Sequence, residues 1–132
     1  MSLIKGSCHC GSVAWEFDLP TKTVVKCYCS MCRKLQGTDH STYVVVPKEQ
    51  FILTKGKELS VCYQATKQSY KNFCSECGTP THLVNGKHFP DDVMLPLGVV
   101  ENYMEKLAPK IQVYTADKPS WVNIHDDEPI FS

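Results

Sequence analysis

The chain has no excess charge of either sign: lysine plus arginine is 14 and aspartate plus glutamate is 14 among 132 residues. A domain that grips nucleic acid usually carries a basic excess or stripe, so no nucleic-acid partner is expected. No apolar stretch approaches the ~20 residues of a membrane helix. The start, Met1-Ser2-Leu3-Ile4-Lys5-Gly6, has no apolar run of signal-peptide length. The expectation is a soluble, cytoplasmic protein without a membrane partner. Repeats, low-complexity tracts and long linkers are also missing, so residues 1–132 are expected to form one domain, long enough to bury a core.

Helix signals are scarce. Ser30 to Leu35 predicts a short helical turn ended by Gly37, and Glu101 to Leu107 a weaker one closed by Pro109. Most of the apolar pattern is that of strands. Val13, Trp15 and Phe17 alternate onto one face. Ser41 to Val46 is β-branched and aromatic until Pro47 stops it. Phe51 to Thr54, Leu59 to Ala65, Gln68 to Phe73, Val93 to Val100 and Lys110 to Thr115 add further strands, with Pro96 marking an edge or a bulge. Short runs punctuated by Gly and Pro predict a mostly antiparallel β fold. In the tail, Trp121 and Ile124 are expected to pin Ser120 to Ser132 to the body.

What the chain has in abundance is clustered cysteine. Seven of eight fall in Cys8-His9-Cys10, Cys27-Tyr28-Cys29-Ser30-Met31-Cys32 and Cys74-Ser75-Glu76-Cys77. Four disulfides are disfavoured, because Cys-x-Cys pairs fit disulfide geometry poorly. In a reducing compartment such clusters read as metal ligands. A structural zinc takes about four ligands and a catalytic one about three, with a position left open. Cys27, Cys29 and Cys32 are one local triple, and a single loop closes it at small entropic cost. Cys8, Cys10, Cys74 and Cys77 are two half-knuckles far apart in sequence, followed by Gly11 and Gly78. Pairing Cys8 and Cys10 with Cys27 and Cys29 would split the triple and is rejected. Two zinc ions per chain follow, one structural and one open to an outside ligand. The competing reading completes the triple with His40, His82, His88 or Cys62, leaving a non-catalytic zinc module that binds a protein or a small molecule.

Cys62 alone in a strand-like run reads as a small hydrophobe, and His125 beside Asp126 and Asp127 as a solvated turn. Arg33 and Lys34 follow Cys32. They offset the cluster's negative charge and offer a seat for a ligand carboxylate.

With these residues in place, the chain resembles the glutathione-dependent formaldehyde-activating enzyme family, the CENP-V/GFA domain. The match lies in Gly6-Ser7-Cys8-His9-Cys10-Gly11-Ser12-Val13, Cys27-Tyr28-Cys29-Ser30-Met31-Cys32-Arg33-Lys34 with Gly37, Phe73-Cys74-Ser75-Glu76-Cys77-Gly78, and Pro119-Ser120-Trp121 with Ile124. The resemblance implies an Mss4-like antiparallel β fold stapled by zinc. It implies the same ligand partition, Cys8, Cys10, Cys74 and Cys77 closed and Cys27, Cys29 and Cys32 open. It also implies a carbon–sulfur lyase that joins formaldehyde to the glutathione thiol, giving S-hydroxymethylglutathione. Tyr28 stands where the family often has histidine.

Overall fold

The computed structural model of the chain describes residues 3–124 and 129–131. Among the described residues, eleven strands, one short α-helix and five 3-10 turns make it mostly β. Strands β1 (Leu3–Ser7), β2 (Ala14–Asp18) and β5 (Phe51–Lys55) form a three-stranded antiparallel sheet with β2 in the middle. The larger sheet has eight strands. Its centre holds β3 (Thr23–Cys27), β4 (Ser41–Pro47) and β9 (Phe89–Pro96). Beyond β9 lie β8 (Pro80–Asn85), β7 (Ser69–Cys74) and the edge strand β6 (Ser60–Gln64). On the other flank β10 (Ile111–Val113) and β11 (Ile130–Phe131) add on in parallel. The helix α1 (Ser30–Gln36) connects β3 to β4.

Strand periodicity decides how the molecule divides. Successive side chains point to opposite faces of a sheet. Val24, Val44, Val46, Val93 and Leu95 therefore face the three-stranded sheet, where they bury Ile4, Trp15 and Phe17. Their neighbours Val25, Cys27, Tyr43, Val45 and Met94 face the opposite way and form a second buried cluster, which also contains Cys32. Central strands buried on both faces read as continuous apolar runs, and Tyr43-Val44-Val45-Val46 is one. The two sheets are tied by Trp15, whose Nε1 donates to the Thr81 carbonyl at 2.9 Å.

The fold is mostly antiparallel as expected, with β10 joining β3 in parallel, and several details are corrected. Pro96 ends β9 rather than interrupting it, and a 3-10 turn, Leu97–Val99, follows. Strands β1, β3 and β8 carry too few alternating apolar residues to stand out in sequence. Trp121 does not pin the tail: it is 71% exposed, and Val122 is buried instead. The Glu101 to Leu107 turn is 3-10 over Met104–Leu107. His125, Asp126 and Asp127 lie outside the described residues.

Gly6 shows how tightly the sheets meet. A Cβ there would lie 2.4 Å from the Trp15 ring. Gly6→Ala is expected to cost roughly 1–3 kcal/mol, as overpacking does, and chemical denaturation checks it; an unchanged midpoint contradicts this packing. A second expectation concerns His82, which is partly buried against Phe51 with ring centroids 5.1 Å apart. Burial pulls its pKa down from 6.5 to about 4. Neutral His82 thus favours the folded state fully above pH 6.5, and that contribution is lost as pH falls through about 4. NMR titration of the His82 ring should give a midpoint near 4, and a midpoint near 6.5 contradicts its burial.

Candidate functional site

The seven clustered cysteines converge on two places. The sulfurs of Cys8, Cys10, Cys74 and Cys77 lie within 4.8 Å of one another, and so do those of Cys27, Cys29 and Cys32. All eight cysteines are free thiols. Among the described residues no further His, Cys, Asp or Glu joins either group.

The four-thiol group joins the end of β1 to the end of β7. Each half is a tight turn. Gly11 N–H donates to Cys8 O at 3.0 Å and Gly78 N–H to Cys74 O at 2.8 Å. Both glycines sit at φ 79°, a left-handed conformation that glycine reaches without penalty. These turns aim amides at sulfur: Val13 N–H donates to Cys8 Sγ and Glu76 N–H to Cys74 Sγ, each at 3.3 Å. The hydrogen bond from Thr79 Oγ1 to Cys77 Sγ, helped by a Thr79 backbone contact, holds the Cys77 thiol down at about 5. Hydrogen bonding from Ser12 lowers Cys10, while burial pushes Cys74 up to about 11. Sulfur separations of 3.6 Å for Cys8–Cys10 and 3.8 Å for Cys10–Cys74 match the ~3.8 Å edge of a tetrahedron with metal–sulfur bonds of about 2.3 Å. Donor type, number and spacing all fit a zinc ion.

The three-thiol group is built by the end of β3 and the start of α1. Cys27 is the last residue of β3. Cys29 is the N-cap of α1, and its Sγ accepts from Cys32 N–H at 3.3 Å. The other end of α1 is fixed by Gly37 at φ 68° and by Lys71 Nζ, which donates to the Leu35 carbonyl. Cys27 Sγ donates to Cys32 Sγ at 3.3 Å. That contact, then burial, drives the Cys32 thiol far above its ordinary range. Burial raises Cys29 as well. Packed among Val25, Tyr43, Val45 and Met94, the raised Cys29 and Cys32 thiols ionise only where a cation compensates the charge. The donor set therefore fits a soft, thiolate-binding metal with fewer than four protein ligands.

This second group lies in a cavity of about 600 Å³, lined by Cys27, Cys29 and Cys32 together with Met31, Lys87, His88 and Tyr114. Tyr114 Oη and His88 Nε2 share a hydrogen bond of 3.2 Å. Tyr114 holds φ 56°, left-handed backbone that a non-glycine residue rarely adopts. Such strain persists only where the surroundings fix it, often at a functional site.

None of the residues proposed to complete the triple joins it, although His88 lines the same cavity. His40 stacks on Tyr28 and pairs with Asp39 at 2.7 Å. His82 packs on Phe51, Cys62 is exposed on β6, and His88 is held by Tyr114. Neither Arg33 nor Lys34 lines the cavity; Lys34 borders a separate groove with Tyr63 and Lys71. Tyr28 is 1% exposed, with its Oη donating to Gln112 Oε1 at 3.2 Å, so it turns away from the cavity. Sequence reasoning missed Lys87, Tyr114 and Asp117 as lining residues. Lys87 sits in a hairpin turn after Asn85-Gly86, and neither Tyr114 nor Asp117 belongs to a motif. No local signal marks them.

Comparison with known proteins agrees with this arrangement. Residues 3–117 match the family described as glutathione-dependent formaldehyde-activating enzyme. A Halomonas elongata protein, provisionally named a glutathione-dependent formaldehyde-activating enzyme, is 26% identical over 96% of this chain and 83% of its own length. A crystal structure of a Rhodobacter sphaeroides protein superposes with a TM-score of 0.65 at 25% identity, covering 80% of this chain and 96% of that one. With a match over nearly its whole length and both cysteine groups assembled, the chain belongs to the glutathione-dependent formaldehyde-activating enzyme family.

Proposed function

We propose that this protein is a zinc-dependent carbon–sulfur lyase that joins a thiol to an aldehyde and splits the adduct. The type reaction is glutathione plus formaldehyde giving S-hydroxymethylglutathione, or a related thiol adduct. One observation carries the reading: three convergent thiols line a cavity large enough for a ligand, and among the described residues no fourth side chain closes them off. In this account Cys8, Cys10, Cys74 and Cys77 hold a structural ion, and Cys27, Cys29 and Cys32 hold the reactive one. A free thiol with pKa near ~8.5 is mostly protonated at neutral pH. Zinc held by three thiolates, with a position left for an outside ligand, favours the ionised form of a bound thiol.

The rest falls to the chain's own side chains. Val25, Met94 and Val113 line the cavity beside the sulfurs with apolar surface, which lowers the local polarity around them. The cavity walls hold thiol and carbonyl together, which supplies proximity. Tyr114 Oη and His88 Nε2, hydrogen-bonded in the wall, are placed to hold the proton that the new hydroxyl takes up. Lys87, exposed on the lining, offers a cation to a substrate carboxylate.

Exchange NMR on glutathione with formaldehyde tests the reading. Interconversion should accelerate with the protein and fall to the uncatalysed rate with Cys29→Ser; no acceleration by protein with both sites loaded contradicts it. Metal analysis should give about two zinc ions per chain, from seven ligands at three or four each. Cys29→Ser should lose one ion and keep the fold, whereas Cys77→Ser should unfold or aggregate. Equal damage from both variants would leave neither site free for chemistry.

A further inference from the structure

We infer that the adduct handled at this site carries an apolar group of side-chain size, so that the preferred thiol–aldehyde pair is more apolar than glutathione with formaldehyde. The inference rests on the proposed reaction and specifies its substrates. Cys27 and Cys32 share one buried cluster with Val25 and Met94, and Phe89 and Val113 pack against it. These four apolar side chains and Met31 form the walls beside the sulfurs. The charged lining groups, Lys87 and Asp117, are both exposed, and so is His88. Charge is thus met at the mouth and apolar surface inside.

Size allows such a group. Formaldehyde has two heavy atoms, and a water-sized unit takes about 30 Å³. The cavity is about 600 Å³. Glutathione carries three ionised groups and two amides, each needing a polar partner once removed from water. The buried and half-buried walls supply only Ser69 and Asn85, and Asn85 Oδ1 already accepts from the Lys87 and His88 N–H groups. Its polar ends would stay at the mouth, leaving Val25, Met94 and Val113 uncovered. A ligand that covers them gains the free energy of burying apolar surface.

The apolar group can enter on the aldehyde carbon or on the thiol. The chemistry is the same for both. Sulfur bonds to the carbonyl carbon, the carbonyl π pair moves to oxygen, and the thiol proton ends on that oxygen. The reaction needs no oxidant or reductant.

The experiment compares three pairs by exchange NMR, each against its own uncatalysed rate: glutathione with formaldehyde, glutathione with phenylacetaldehyde, and benzyl mercaptan with formaldehyde. At least one apolar pair should show about tenfold greater acceleration than glutathione with formaldehyde, and the winning arm identifies which partner carries the group. Acceleration of glutathione with formaldehyde equal to or above both apolar pairs overturns the inference and leaves the reaction standing. No acceleration in any pair removes the reaction and the inference with it. Methyl NMR gives a readout independent of turnover. The Met94 and Val113 methyl signals should shift as the favoured apolar adduct is titrated in, and unmoved methyls overturn the inference.

Discussion

Seven thiols brought to two points set the constraint on which the rest depends. Sulfur donors as close as 3.3 Å cannot all ionise without a cation between them. Each group also closes a chain segment. The four-thiol group links the end of β1 to the end of β7, and so links the three-stranded sheet to the eight-stranded one. The three-thiol group links β3 to α1 within a single loop. In the proposed account the first group therefore contributes fold stability, and the second, with only a local loop to hold, is spare for chemistry.

The large sheet separates these two tasks. Its central strands are buried on both faces, so alternate residues serve different ends. Val24, Val44 and Leu95 pack against Trp15 and Phe17. Val25, Tyr43 and Met94, one position along, surround Cys27 and Cys32. The cavity inherits its apolar walls from strand residues that a sheet face must bury in any case. Loops supply its polar features: Lys87 and His88 between β8 and β9, and Tyr114 in left-handed backbone after β10. A rigid scaffold with functional groups on its loops is the usual division of labour.

The thiol groups were the most legible part of the sequence, because ligand spacing within a loop is a local property. Cys27, Cys29 and Cys32 announce one another, and once that triple is set aside Cys8 and Cys10 are left with Cys74 and Cys77. The strongly alternating or β-branched strands, β2 and β4, were legible for the same reason. Strand β8 was not: Pro80-Thr81-His82 gives no clear period, and its place is set by pairing with β7 and β9. The parallel addition of β10 depends on a long-range register that no local pattern encodes. Arg33 and Lys34 looked like substrate contacts because they follow Cys32. Helical geometry turns consecutive residues about 100° apart, and the α1 residues lining the cavity are Ser30, Met31 and Cys32. The cation that does line it, Lys87, comes from a turn more than fifty residues away in the chain.

The central claim is that one ion is enclosed by four cysteines and the other by three plus an outside ligand. Zinc-edge X-ray absorption of the purified protein, before and after adding a thiol, measures this directly. The account predicts an average of about three and a half sulfurs per ion from seven cysteines on two sites, with the remainder a light atom, rising toward four as the thiol binds. Four sulfurs per ion from the outset, or a spectrum that the added thiol leaves unchanged, would contradict it.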